Sequence, residues 1–81
     1  MDIEDIIAQV NAILQEELYR LVEDYFVPEA RIEYDLEITD LEKDIILDKL
    51  EYHFDIIIED REWDQLKTLS DLYKLINNKI S

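Results

Sequence analysis

His53 is the only histidine in the chain, and there is no cysteine. The groups that most often serve as nucleophile, proton shuttle or soft metal ligand are thus reduced to a single imidazole. A zinc centre needs three or four such ligands, and a hydroxyl nucleophile needs a base beside it. One histidine cannot supply a cluster, and near a helix C-terminus it reads as a partner for the helix dipole. Carboxylates are plentiful, 22 Asp and Glu against 8 Lys and Arg. At that density adjacent pairs such as Glu16-Glu17 and Glu59-Asp60 arise by chance. The calcium loop requires a glycine for its sharp turn, and phosphate-cradling loops require several; the chain contains none. The sequence therefore predicts no catalytic residue, no metal site and no bound cofactor. The protein is not expected to be an enzyme.

The chemistry that remains is recognition. A net charge of -14 repels phosphate backbones and anionic lipid, which excludes nucleic acid and membrane as expected partners. It favours a protein with a basic face, because complementary potential speeds encounter. The opening residues Met1-Asp2-Ile3-Glu4-Asp5 are acidic where a signal peptide needs positive charge. Apolar runs such as Ile56-Ile57-Ile58 are too short to span a bilayer. A cytoplasmic, monomeric protein is the expectation.

These side chains must be positioned by helices. With no glycine, one proline and 48% apolar residues, the composition suits helices with short connections and argues against β-hairpins. The 81 residues make a single domain spanning 1–81. Apolar residues at 3, 6, 7, 10, 13, 14, 18, 21, 22 and 25 follow a helical period. They predict a first helix from about Ile3 to Phe26, ended by Pro28 through its restriction on Val27. A connector from Pro28 to Ile38 should anchor through Ile32 and Leu36. Thr39-Asp40-Leu41-Glu42 fits a capping box and opens a second helix running to about Phe54. A short helical turn around Trp63 is expected over Asp60 to Gln65. Thr68-Leu69-Ser70-Asp71 signals a last helix with Leu69, Leu72, Tyr73 and Ile76 inward and Asn77-Asn78 as its C-cap. Trp63, Tyr25, Phe26 and Phe54 are expected in the core.

The second helix is the informative one. At 100° per residue, Ile46, Leu47, Leu50 and Phe54 form one arc that must face the core. Asp40, Asp44, Asp48, Glu51 and Asp55 form an acidic arc. Leu41, Ile45 and Tyr52 form an apolar arc beside it, away from the core. Like charges four apart destabilise a helix by about 0.2–0.5 kcal/mol per pair, and Asp40-Asp44 and Asp44-Asp48 both occur. The arrangement reads either as a partner surface made of Asp40, Leu41, Asp44, Ile45, Asp48 and Tyr52, or as a solvated face with Leu41 and Tyr52 tucked under the connecting segments.

The order of elements and the residues around Thr39 resemble the acyl carrier protein family. The family's second helix opens on Asp-Ser-Leu, preceded by Asp-Leu-Gly and followed by a Leu and a Phe-Asp near the helix end. Here the segment reads Asp35-Leu36-Glu37-Ile38-Thr39-Asp40-Leu41, then Leu50, then Phe54-Asp55. The match runs without gaps from Ala30 to Ile76 and includes Ile58, Leu66, Thr68, Leu69 and Ile76. The resemblance implies an all-α, acyl-carrier-protein-like four-helix bundle of three longer helices and one short third helix, with a first helix longer than the family norm. It implies docking of partner enzymes through the second helix and a link to fatty-acid or polyketide-type synthesis. The family's serine carries phosphopantetheine as a phosphodiester. That position is Asp40 here, whose carboxylate cannot form the linkage, and the family's glycine is Glu37. Asp44 and Asp48 stand where the family often has exposed apolar residues, and Ile45 where an acid is usual. The expected function is therefore a carrier-like docking module without a prosthetic group. A small acidic inhibitor or immunity-type protein that neutralises a basic enzyme fits the same charge.

Overall fold

The computed structural model describes residues 1–80. Four α-helices run in the order α1 (Ile3–Glu17), α2 (Asp40–Phe54), α3 (Asp60–Asp64) and α4 (Leu69–Ile80), with a 3-10 turn at Glu23–Tyr25 between the first two. The only strand-like pairing among these residues is an isolated bridge between Arg31 and Thr68. The fold is the expected all-α bundle of three longer helices and one short one.

The first helix ends sooner than its apolar spacing predicts. Ile6, Val10 and Leu14 repeat every four residues and are fully buried, and so is Leu18 just past the helix end. Beyond it Val22 is 62% and Tyr25 46% exposed. A helix carried on to Phe26 would be about 36 Å long, more than the longest dimension of the body, 31 Å. The chain instead leaves the helix at Leu18 (φ -105°, ψ 49°), turns through a Leu21-to-Leu18 backbone bond and returns Phe26 to the core. Tyr25, expected inside, therefore faces solvent, and the connector is longer than the sequence implied.

The connector is held at both anticipated anchors, Ile32 and Leu36, which are buried. It is also sewn to the start of α4. The Ile32 amide donates to the Lys67 carbonyl (2.9 Å), Leu69 to Ala30 (3.0 Å) and Ser70 to Pro28 (2.9 Å). A polar relay joins α4, α1 and the turn: the Tyr73 hydroxyl donates to Asn11 Oδ1 (2.6 Å), and Asn11 Nδ2 donates to the Phe26 carbonyl (3.3 Å). Burial pushes the Tyr73 phenol above its ordinary pKa, against the opposing pull of Asn11. One apolar cluster unites these parts, with Ile46, Leu47 and Leu50 from α2, Trp63 from α3, and Leu69, Leu72, Tyr73 and Ile76 from α4. Phe54 packs against it half-buried. The last helix runs through Asn77 and Asn78 to Ile80, so the asparagines are helix interior and not its cap. Lys79, in that final turn, pairs with Glu62 of α3 at 2.9 Å.

Three helices start on carboxylates that accept backbone N–H groups. Glu42 serves α2 and Glu62 serves α3, each accepting the N–H three residues back at 3.0 Å. In α4, Asp71 accepts from both Lys67 (3.0 Å) and Thr68 (3.2 Å). Bonding to Arg20 and the Thr39 amide depresses the Glu42 pKa, and the bonds from Lys67 and Thr68 depress that of Asp71. A carboxyl depressed in the folded state gives stability that is full above its unfolded pKa, about 4. That stability disappears as pH falls through the folded value. Asp71→Asn should lower stability at neutral pH by about 1 kcal/mol and flatten the acid limb of a stability-versus-pH curve. Chemical denaturation at pH 7 and at pH 3 checks this.

Candidate functional site

The start of α2 is built from groups far apart in sequence. Thr39 Oγ1 accepts the Glu42 amide (3.2 Å) and Glu42 Oε1 accepts the Thr39 amide (3.0 Å), a complete capping box. Arg20, from the end of α1's turn, donates to the Leu36 carbonyl (2.9 Å), the Glu37 carbonyl (3.1 Å) and the Glu42 carboxylate (3.0 Å). A single guanidinium nitrogen, Nη2, thus meets two connector carbonyls and the capping carboxylate, its two N–H groups shared among the three. Between them Glu37 sits at φ 51°. That left-handed region favours glycine, and the backbone bend is kept here with no glycine to make it. Asp55, the C-cap of α2, is likewise left-handed at φ 55°; short aspartate tolerates this better than glutamate does.

Asp40 follows the cap as the first residue of α2 and is exposed. It borders a cleft of about 280 Å3 between the connector, α2 and α3, whose walls include Ile32, Ile38, Trp63 and Leu66 together with Lys43 and Asp64. Lys43 reaches across to α3, 3.7 Å from Asp60 and 3.9 Å from Asp64. Trp63 is 7% exposed, so it fills space between the helices. Among the described residues no group of three or more His, Asp or Glu side chains is arranged to hold a metal.

The outer face of α2 carries the rest of the predicted surface. Leu41 is 71%, Ile45 37% and Tyr52 92% exposed, and Asp44 and Asp48 are exposed beside them. Asp48 and Tyr52 also border a shallow groove against α1 with Ile13, Lys49 and His53. Six of the eight lysines and arginines are in ion pairs: Lys49 pairs with Glu16 (3.3 Å) and with Glu17, and Arg20, Arg31, Lys43, Arg61 and Lys79 have partners of their own. Asp40, Asp44 and Asp48 have no ion pair among the described residues. Glu51, placed by its spacing in the same acidic arc, does structural work: its carboxylate accepts the Ile58 amide at 2.8 Å. The imidazole of His53 lies in the last turn of α2 against Gln9 of α1 and edge-on to Phe54. Sequence reasoning missed Arg20 and Lys43. Neither carries a local signal, because their partners lie 16 or more residues away.

Three longer helices and one short one, with an acidic and apolar face of α2 turned outward, make a bundle of the carrier-protein type. No family model matches the chain. The acyl carrier protein of Thermosynechococcus vestitus is 33% identical over 81 residues, covering 100% of this chain and 99% of that protein. The chain belongs to the acyl carrier protein family. No helix among the described residues is long and apolar enough to cross a membrane.

The strained bend before α2 makes a direct test. Glu37→Gly should raise stability by about 0.5–1 kcal/mol, since it removes the left-handed penalty at the cost of some unfolded-chain entropy. Thermal and urea denaturation read the change. A loss of stability would show that the Glu37 side chain contributes more than its backbone strain costs.

Proposed function

We propose that this family member bears no phosphopantetheine arm and acts as a docking module for a protein with a basic face. The attachment position of the family corresponds to Asp40, and a carboxylate there cannot form the stable phosphodiester. Thr39, the adjacent hydroxyl, is engaged as the cap of α2. An arm-free module has no acyl chain to shelter, and an empty apolar cavity costs about 24 cal/mol per Å3. The packing of Trp63 against the core cluster and the charged rim of the cleft beside Asp40 support that reading.

The observation that carries the docking role is the outer face of α2. Leu41 and Tyr52, with Ile45 between them along the helix, expose apolar surface beside three carboxylates that the fold itself does not neutralise. Apolar contact supplies affinity, while Asp40, Asp44 and Asp48 steer a basic surface into place. The partner is thus a protein with Lys or Arg around an apolar recess, of the kind that serves carriers of fatty-acid or polyketide-type synthesis. Neither nucleic acid nor a membrane surface offers that combination.

Two measurements test the reading. Intact mass should stay unchanged after incubation with a broad-specificity phosphopantetheinyl transferase and coenzyme A; a gain matching the arm overturns the unmodified state. Asp40→Ser should be modified poorly, because Asp44 and Ile45 alter the surface that such an enzyme reads. For docking, affinity capture followed by mass spectrometry should recover a partner that Asp44→Lys with Asp48→Lys no longer retains. In kinetic measurements that double variant should slow association and weaken its salt dependence, whereas Ile45→Ala should speed dissociation and leave folding intact. Equal capture by wild type and double variant would remove α2 as the docking face.

A further inference from the structure

A recess of about 460 Å3 lies where the connector meets the segment joining α3 to α4, lined by Arg31, Glu33, Tyr34, Asp64, Leu66 and Lys67. It shares no residue with the outer face of α2. Its two walls are held in register by backbone: Arg31 and Thr68 form the isolated bridge, and the Ile32 amide donates to the Lys67 carbonyl at 2.9 Å. Both cations stand on backbone that is already engaged. The Arg31 amide donates to Asp35 (2.7 Å) and its carbonyl accepts the Asp35 amide (2.9 Å), while the Lys67 amide donates to Asp71 (3.0 Å). The walls are thus fixed by the fold itself.

Charge in the recess is only partly answered by that fold. Lys67 and Lys74 are the two cations without an ion pair among the described residues, and Lys74 lies within electrostatic reach of Asp71. Lys67 has no such neighbour. Glu33 likewise has no ion pair among the described residues. Asp64 is shared with Lys43 at 3.9 Å. Arg31 stands 3.7 Å from Asp35, longer than a hydrogen bond, with its guanidinium 5.2 Å from the centre of the Tyr34 ring. Leu66 packs partly buried against the core cluster. An open cation, an open carboxylate and an apolar wall therefore meet in one recess.

A ligand that answers all three carries a cationic group, an anionic group and an apolar body. A simple anion is repelled at long range by a net charge of -14. A simple cation meets Arg31 and leaves Lys67 unanswered. A dipolar molecule has no net charge, so it escapes the long-range repulsion and still gains both local pairings. We propose that this recess binds a free α-amino acid with an aliphatic side chain. Its carboxylate lies toward Lys67 and Arg31, its ammonium toward Glu33, and its side chain against Leu66 and the Tyr34 ring.

The test is a titration of the whole 15N-labelled chain with L-leucine and with two analogues that each lack one charge, 4-methylpentanoate and 3-methylbutylamine. Amide shifts of Tyr34, Leu66 and Lys67 should saturate with leucine. Each analogue should bind about fivefold more weakly, the loss of one partly exposed ion pair. Lys67→Gln and Glu33→Gln should each weaken leucine by a similar factor. Lys74→Gln, which removes the same charge outside the recess, should leave its affinity unchanged. All three replaced side chains are exposed, and the unliganded amide spectrum of each variant reports its fold. An equal response to either analogue would reduce the site to a single ion pair and overturn the amino acid. Equal weakening by Lys74→Gln would reduce the effect to net charge and overturn the recess. So would the absence of a saturable shift up to the solubility limit of leucine.

Discussion

A helix cannot begin without partners for its first amide groups, and in this protein the beginning of α2 decides where most other things lie. Thr39 and Glu42 cap it locally. Arg20 then ties that cap to two carbonyls of the incoming connector. The second helix is thereby fixed against the segment that follows α1 as well as against α1 itself. Its rotation follows: with Ile46, Leu47 and Leu50 inward, Leu41 and Tyr52 have no direction left but outward. The same knot holds the end of the connector at Leu36 and Glu37.

Charge is distributed by use. Lysines and arginines join elements, α2 to α3 through Lys43, α1 to α2 through Lys49, and α3 to α4 through Lys79. Each is a partly exposed pair of small individual worth, yet together they occupy the cations next to the bundle's seams. Acids without an ion pair among the described residues lie on the outer face of α2, along the connector and at the start of α1.

Periodicity and capping chemistry made much of this legible. The start of α2 followed from Thr39 and Glu42, and α3 from the turn expected around Trp63. The inward face of α4 followed from Leu69, Leu72, Tyr73 and Ile76. The first helix was misjudged because Leu21, Val22 and Tyr25 keep helical spacing after the chain has left the helix at Leu18, where Val22 and Tyr25 turn to solvent. Asn77 and Asn78 resemble a stop signal, but by continuing the helix Lys79 reaches Glu62 of α3 and Ile80 packs against the core cluster. Apolar and acidic arcs on α2 were readable from the wheel alone. The clamps by Arg20 and Lys43, and the structural use of Glu51, were not, since each depends on a partner brought near only by folding.

The backbone bonds between residues 28–32 and 67–70 set an order on the protein's own synthesis. A nascent chain emerges N-terminus first, so α1, the connector and α2 are made while Ile32 still lacks its carbonyl acceptor and Asn11 still lacks the Tyr73 hydroxyl. Until residues 67–73 have emerged, neither the connector's amide bonds to that segment nor the bond from Tyr73 to Asn11 can form.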